Sequence, residues 1–318
     1  MARYRHALPQ VSGGLFLTDG GLETTLVFHD GRELPHFAAF DLLKDREGRD
    51  RLIDYFAEYT AIARMHGLGF ILESATWRAS RDWGERLGYS TEQLRHANRT
   101  SIELLANVRH QLADISRVVI SGCLGPKGDG YDPGHPMTTN EAADYHWEQI
   151  ATLAETEADM ITAITMTNAP EAVGITRAAA DQGMPVAISF TVETDGRLPT
   201  GQPLAEAIDQ VDGETGSTPA YFMINCAHPN HFWHVLDSRA GWTRRIWGLR
   251  ANASKMSHAE LDQAEQLDDG DPVELGQQYV ALRDLLPSLN VLGGCCGTDH
   301  RHIAAIADAW MHDLAKAS

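Results

Sequence analysis

The chain has 318 residues, 43% of them hydrophobic, and a formal net charge of −18 at pH 7. This length can bury a large core, either in two domains or in one α/β barrel. The negative charge is spread along the chain, which disfavours nucleic acid or an anionic membrane as a partner. No segment approaches the roughly 20 apolar residues of a membrane helix, and the first ten residues lack the apolar core of a signal peptide. The four cysteines show no disulfide-like spacing, so a reducing cytoplasm is the expected compartment.

Short apolar, β-branched segments alternate with longer helical patterns along the whole chain. Eight segments are predicted as strands: Leu15–Asp19, Gly69–Ser74, Arg117–Cys123, Met160–Met166, Val186–Val192, Tyr221–Cys226, Arg245–Leu249 and Asn290–Gly293. The predicted helices between them include Asp50–His66, Thr91–Leu112, Asn140–Glu157, Glu171–Gln182, Pro272–Leu286 and His300–Leu314. Such alternation predicts a parallel sheet, and eight strands are the number that closes a (β/α)8 TIM barrel.

A doubly wound open sheet is the alternative architecture. Its dinucleotide-binding form is disfavoured, because the segment after the first strand, Thr18-Asp19-Gly20-Gly21-Leu22, lacks the G-x-G-x-x-G spacing. The chain shows no internal repeat and no linker, so we predict a single barrel domain over residues 1–318. The longest irregular segments, 125–136 and 251–271, both follow strands. In a barrel they are loops of the face that carries the active site.

Three of the four cysteines lie at the ends of two predicted strands. Cys226 ends the sixth strand, and Cys295 and Cys296 follow the eighth, so all three are expected at the C-terminal mouth of the barrel. Soft sulfur ligands select Zn²⁺, and three protein ligands leave a fourth position for a substrate. We therefore predict a zinc site at these three cysteines; the alternative is that they are small buried core residues. Cys123 ends the third strand and is expected to be a packed or free thiol.

Short motifs, in the same order over nearly the whole chain, resemble the homocysteine S-methyltransferase family. They are Asp19-Gly20-Gly21, Gly125-Pro126, Ile188-Ser189-Phe190, Asn225-Cys226 and Gly293-Gly294-Cys295-Cys296. The resemblance implies a zinc-dependent barrel that passes a methyl group from a small-molecule donor to a thiol such as homocysteine, a reaction of methionine biosynthesis. It also implies that the three cysteines bind the metal, and that Asp19 and Gly20 line the pocket of the thiol substrate.

The chain departs from the family pattern at the end of the fourth strand. Many relatives carry a Glu-Thr pair there, whose carboxylate holds the amino group of homocysteine; this chain has Ile164 and Thr165. Thr165 remains a candidate substrate contact. Glu73, at the end of the second strand, is a candidate replacement for the missing acid, because a buried glutamate is rarely unpaired. Its alternative role is a salt bridge with Arg78 or Arg81. The substitution predicts weak homocysteine activity or a preference for a thiol without a free amino group.

Other side chains near the predicted mouth allow two interpretations each. Arg250 either meets a substrate carboxylate or pairs with a nearby acid. Trp77, Trp83 and Tyr131 either form an aromatic cage for a cationic methyl donor or pack on the barrel mouth. His228 is expected beside the metal site rather than among its ligands.

Two other functions could use the same barrel. Hydrolysis by metal-bound water needs a general base near the metal, and no H-E-x-x-H arrangement is present. A catalytically idle thiol- or metal-binding protein is suggested by the missing acid at position 164. The leading prediction is a zinc-dependent methyltransferase to a thiol or selenol. Its partners would be a small-molecule thiol and a methyl donor, with Zn²⁺ as the cofactor.

Overall fold

The computed structural model describes residues 2–264 and 266–317. Eight parallel strands form a closed barrel in chain order, and the last strand pairs with the first. The strands are β1 (Phe16–Leu17), β2 (Gly69–Glu73), β3 (Val118–Leu124), β4 (Met160–Met166), β5 (Val186–Phe190), β6 (Tyr221–Asn225), β7 (Ile246–Ala251) and β8 (Val291–Gly294). The predicted TIM barrel is confirmed. The open sheet is wrong, because β1 pairs with both β2 and β8.

Helices follow the strands and cover the outside of the barrel. In the described residues they are α1 (Leu22–Thr24), α2 (Arg46–His66), α3 (Arg81–Arg86), α4 (Thr91–Gln111), α5 (Thr139–Ala154), α6 (Ala169–Asp181), α7 (Leu204–Thr215), α8 (Pro229–Phe232), α9 (His258–Asp262), α10 (Pro272–Leu282) and α11 (His300–Ala317). Neighbouring helices pack on one another, most extensively α5 on α6 and α10 on α11. None of the helices described is long and apolar enough to cross a membrane.

Side-chain caps explain where several helices begin. The Asp45 carboxylate accepts the Gly48 backbone N–H, so α2 begins at Arg46, four residues before the predicted start. Capping boxes at Ser90 and Thr138 begin α4 and α5 close to their predicted positions. Helix α7 was not predicted, and it begins after Pro203 without a side-chain cap.

Side chains fill the barrel interior at the N-terminal ends of the strands, so a substrate site can form only at the opposite end. Phe16, Ile71 and Tyr221 belong to a buried cluster inside the barrel, and Leu8 of the N-terminal segment packs against it. The buried Asp159 carboxylate accepts the Arg3 backbone N–H at 2.6 Å, which ties the same N-terminal segment to β4. The site therefore lies at the C-terminal ends of the strands, as a barrel fold predicts.

Candidate metal and substrate site

The structure brings the three predicted ligands together at the barrel mouth. The sulfur atoms of Cys226, Cys295 and Cys296 lie within 4.8 Å of one another. The Cys226 and Cys296 sulfurs are 3.9 Å apart, close to the edge of about 3.8 Å in a tetrahedron with Zn–S bonds of about 2.3 Å. Cys123, by contrast, is a buried free thiol outside this cluster. The spacing of the cluster thus suits a tetrahedral metal bound by sulfur.

The sulfur atoms of Cys226 and Cys295 are in direct contact in this structure. The sequence spacing did not predict this pairing, because the two residues are 69 positions apart and meet only when the barrel closes. Cys296 remains a free thiol, and burial raises its pKa. Since the thiolate is the form that binds metal, all three sulfurs act as ligands only in their reduced form.

Asn225 fixes the geometry of the strand ends around the cysteines. Its Oδ1 accepts the Thr165 backbone N–H at 2.9 Å and the Ser189 hydroxyl at 2.6 Å, and its Nδ2 donates to Thr165 Oγ1 at 2.9 Å. Thr165 and Cys226 have φ of 61° and 52°, a left-handed conformation that is uncommon outside glycine. Strain of this kind persists where surrounding contacts hold it. The Asn-Cys pair therefore works as a unit that joins β4, β5 and β6.

The Gly-Gly pair before Cys295 is required by close packing. A Cβ on Gly293 would collide with the Thr18 side chain, and one on Gly294 would collide with Thr298. Only glycine lets β8 approach this closely, so any larger residue would push the cysteine pair away from Cys226.

Asp19 is held in place by a buried ion pair. Arg250 Nη2 lies 2.9 Å from Asp19 Oδ1, and the Tyr55 hydroxyl donates to Asp19 Oδ2 at 2.8 Å. Arg250 also donates to the Gly294 carbonyl at 3.0 Å. Burial alone lowers the pKa of Arg250, but Asp19 and Glu73 raise it by more, so the side chain stays charged. Of the two roles considered for Arg250, the structure shows the pairing with an acid.

Glu73 is buried at the end of β2, with 6% of its surface exposed. Its Oε2 has no hydrogen-bond partner. Burial raises the pKa of this carboxyl to about 7, although Arg250 opposes the shift. The salt bridge considered for Glu73 is absent, because Arg78 pairs with Asp129 at 3.3 Å and Arg81 pairs with Asp82 at 3.5 Å.

A cavity of about 200 Å³ opens beside the cysteines. All four residues predicted to contact the substrate line it: Asp19, Gly20, Glu73 and Thr165. Ile164, half-buried, contributes an aliphatic side chain where the family pattern has a carboxylate. Glu23 also lines the cavity and was not predicted, because it lies just after the Asp-Gly-Gly motif and has no pattern of its own.

The three aromatic residues divide between the two roles considered for them. Trp77 and Tyr131 line the cavity, and the Tyr131 hydroxyl lies 3.3 Å from Cys296 Sγ. Trp83 instead stacks on Arg78, whose guanidinium carbon lies 3.6 Å from the Trp83 ring centroid and 4.0 Å from that of Trp77. Trp83 is therefore part of the support behind the site.

Two histidines stand close to the cysteines without joining them. Burial lowers the pKa of His228 to about 4, and its Nδ1 accepts the Asn230 backbone N–H. His258 was not predicted. Its Nε2 lies 2.7 Å from the Cys226 carbonyl oxygen, and its ring stacks on Tyr131 at 3.9 Å. The capping box that begins α9 was a visible signal for the helix start, but nothing in the sequence places it against Cys226.

The family model for homocysteine S-methyltransferase matches residues 16–310. The chain belongs to the homocysteine S-methyltransferase family. The resemblance inferred from the motifs is thus confirmed, and the protein is a methyltransferase of the thiol S-methyltransferase type. No curated protein sequence matches the chain.

Solved structures of one family member share the whole fold. The metallated form of the homocysteine methyltransferase MmuM from Escherichia coli is 19% identical, with a TM-score of 0.71 over 94% of this chain and 98% of that chain. Its oxidized form is 18% identical, with a TM-score of 0.73 over 96% and 99%. At these identities the likeness supports the fold, and the site must be argued from the residues of this chain.

Proposed function

We propose that the protein is a zinc-dependent S-methyltransferase that moves a methyl group from a small-molecule donor to a thiol. The observation that carries the proposal is the meeting of Cys226, Cys295 and Cys296 beside a cavity at the barrel mouth. We further propose that the chain acts as one barrel domain over residues 1–318. A cytoplasmic location would fit, because the three sulfurs must be reduced to bind metal.

The donor set suits zinc. Three thiolates with Zn²⁺ carry a formal charge of about −1, and a site with three sulfur ligands keeps one position open for a substrate. When bound, Zn²⁺ would lower the pKa of the acceptor thiol, so that its nucleophilic thiolate form is available near neutral pH.

The protein residues then contribute binding and orientation. We propose that the acceptor binds against Asp19, Gly20, Glu73 and Thr165. In this proposal the Tyr131 hydroxyl donates a hydrogen bond to the Cys296 sulfur. In the transfer, the acceptor sulfur forms a bond to the methyl carbon as the carbon–heteroatom bond of the donor breaks. The electron pair of that bond stays with the donor heteroatom, and the thiol proton leaves to solvent. In-line transfer requires the enzyme to hold the acceptor sulfur and the donor methyl group close together and aligned.

The test is a methyl-transfer assay on the zinc-loaded, reduced enzyme. Thiols are combined with sulfonium and quaternary ammonium methyl donors, and S-methyl products are detected by mass spectrometry. We expect a product that requires the thiol, the donor and the metal, and that disappears when a chelator removes the zinc. Tight zinc binding without transfer to any thiol would contradict the proposal and favour a metal- or thiol-binding protein.

Asn225→Ala is expected to weaken zinc binding by about 10- to 100-fold, the usual cost of losing a residue that orients metal ligands. The reason is that Asn225 directly precedes Cys226 and holds Thr165, whose backbone is left-handed, by two hydrogen bonds. The affinity is measured by competition with a chromophoric chelator. Asn290→Ala is the matched control, because Asn290 bonds to Gln10 and Gly14 at the far end of the barrel. Equal affinities in both variants would show that Asn225 does not position the ligands.

A further inference from the structure

The backbone carbonyl of Cys226 lies outside the hydrogen-bond ladder of the barrel. The Cys226 N–H donates to the Arg250 carbonyl at 3.2 Å, as pairing with a parallel strand requires. In a regular ladder the N–H of Asn252, two residues further along the chain, would then donate to the Cys226 carbonyl. It donates instead to the Ala227 carbonyl at 3.2 Å, because the left-handed conformation of Cys226 turns its own carbonyl aside. A buried carbonyl in this position needs a side-chain donor.

His258 supplies the shorter of two side-chain hydrogen bonds to this carbonyl. Its Nε2 lies 2.7 Å from the Cys226 oxygen, whereas the Thr191 hydroxyl donates from 3.4 Å. Since a carbonyl oxygen only accepts, Nε2 carries the proton of this bond. Nδ1 lies 3.1 Å from the Glu193 carboxylate, and His258 is 4% exposed. Both ring nitrogens are therefore occupied, so His258 contacts a metal ligand and is not one itself.

The same ring reaches a second cysteine through Tyr131. The rings of His258 and Tyr131 stack, with their centroids 3.9 Å apart and an angle of 18° between their planes. The Tyr131 hydroxyl lies 3.3 Å from Cys296 Sγ. The His258 side chain thus contacts the backbone of the ligand that follows β6 and, through Tyr131, the sulfur of a ligand that follows β8.

The segment that carries His258 is held by contacts that do not involve the cysteines. In the capping box that begins α9, the Ser257 hydroxyl and backbone N–H both donate to the Glu260 carboxylate, at 2.7 Å and 2.8 Å. Three residues before His258, the Lys255 carbonyl oxygen lies 3.0 Å from His231 Nε2. These contacts fix the loop without help from the sulfur atoms. A residue that orients metal ligands requires such support of its own.

We propose that His258 is a positioning residue of the metal site, which fixes the backbone of Cys226 directly and the sulfur of Cys296 through Tyr131. Binding of a metal by three sulfurs depends on the distances between them, and the Cys226 and Cys296 sulfurs are 3.9 Å apart. Loss of His258 would release both ligands at once, so the effect is expected on zinc affinity more than on folding. The inference rests on the metal site of the proposed function, but not on methyl transfer itself.

The experiment measures the zinc affinity of the reduced protein by competition with a chromophoric chelator, without thiol substrate or methyl donor. We expect His258→Leu to weaken zinc binding by about 10- to 100-fold, the usual cost of losing a residue that orients metal ligands. His258→Gln should recover most of the loss, because its side-chain amide can donate to the same carbonyl. His234→Leu is the matched control and should bind zinc like the wild type. His234 Nε2 also lies close to a backbone carbonyl, that of Asp195 at 3.2 Å, but at an exposed position.

The cobalt-substituted protein gives a readout that a purely structural role of His258 would not change. The intensity of thiolate-to-cobalt charge-transfer absorption reports how many sulfurs bind the metal. His258→Leu should lower this intensity while circular dichroism shows a folded barrel. Wild-type zinc affinity in folded His258→Leu would overturn the proposal. Equal losses of affinity in His258→Leu and His258→Gln would also overturn it, because the hydrogen bond to Cys226 would then not be the cause.

The link through Tyr131 is tested by a double-mutant cycle. Tyr131→Phe keeps the stacked ring but removes the hydroxyl beside Cys296. If His258 acts on Cys296 through Tyr131, the double variant should lose less zinc affinity than the two single variants lose in sum. Strictly additive losses would overturn this link.

The measurements separate the role of His258 from the proposed function. If His258→Leu weakens zinc binding but the wild type methylates no thiol, the proposed function fails while the role of His258 stands. If the wild type transfers methyl groups and His258→Leu binds zinc as tightly as the wild type, the role of His258 fails while the proposed function stands.

Discussion

Replacing Cys226, Cys295 or Cys296 with serine is expected to lower the rate of methyl transfer by on the order of 10³-fold. Without the metal, a thiol of pKa about 8.5 is only a few per cent ionised at pH 7, which costs about 30-fold. Losing the anchored position of the sulfur costs about a further 10²-fold, the effect of a misplacement of about 1 Å. The rate is measured with the best acceptor and donor at fixed zinc.

Cys123→Ser is the matched control for these variants. Cys123 lines the same cavity and is buried, but it lies outside the cluster of three sulfurs. We expect it to keep most of the activity. All four variants should remain folded by circular dichroism, because a barrel of this size buries enough core without a metal. Wild-type rates in Cys296→Ser, or a loss in Cys123→Ser equal to the others, would show that the wrong sulfurs have been assigned.

Arg250→Ala is expected to destabilise the fold by about 3–5 kcal/mol, the cost of leaving one member of a buried ion pair without its partner. Arg250 is 5% exposed, and it joins Asp19 after β1 to Gly294 at the end of β8. Its loss would leave the Asp19 charge buried and unbalanced where the barrel closes. The free energy of unfolding is measured by denaturant titration.

Arg239→Ala provides the comparison for an exposed pair. The Arg239 side chain is 89% exposed and contacts Asp237 two residues away. Pairs of this kind contribute little, so we expect a change within about 1 kcal/mol. If Arg250→Ala costs no more than Arg239→Ala, the ion pair does not hold the barrel mouth together.

The barrel could be predicted from the sequence because its signals are local. Eight apolar strands alternate with amphipathic helices, and a residue at the C-terminal end of a strand must lie at the mouth of the barrel. For this reason the convergence of Cys226 with Cys295 and Cys296 could be expected from their positions alone. The strand ends themselves were less predictable. Strand β6 stops at Asn225 because the next residue, Cys226, has a left-handed backbone conformation. A cysteine at that position gives no sign of this conformation in the sequence.

The charges of the site could not be predicted, because they depend on contacts distant in sequence. Arg250 and Asp19 are 231 positions apart, and only closure of β8 onto β1 makes them partners. Because of this pairing, Arg250 is a structural link between strand ends and not a binding group for a substrate carboxylate. Glu23 was not predicted, because it lies just after the Asp-Gly-Gly motif and belongs to no recognisable pattern. Its position in the cavity wall became visible only in the folded chain.

Zinc K-edge X-ray absorption on the reduced, zinc-loaded enzyme tests the central claim most directly. The account predicts one zinc per chain with three sulfur neighbours at about 2.3 Å and one lighter ligand. Addition of an accepted thiol should change this to four sulfur neighbours, while Cys226→Ser should lose one sulfur or lose the metal. A spectrum dominated by nitrogen and oxygen ligands, or one that an accepted thiol leaves unchanged, would contradict the account.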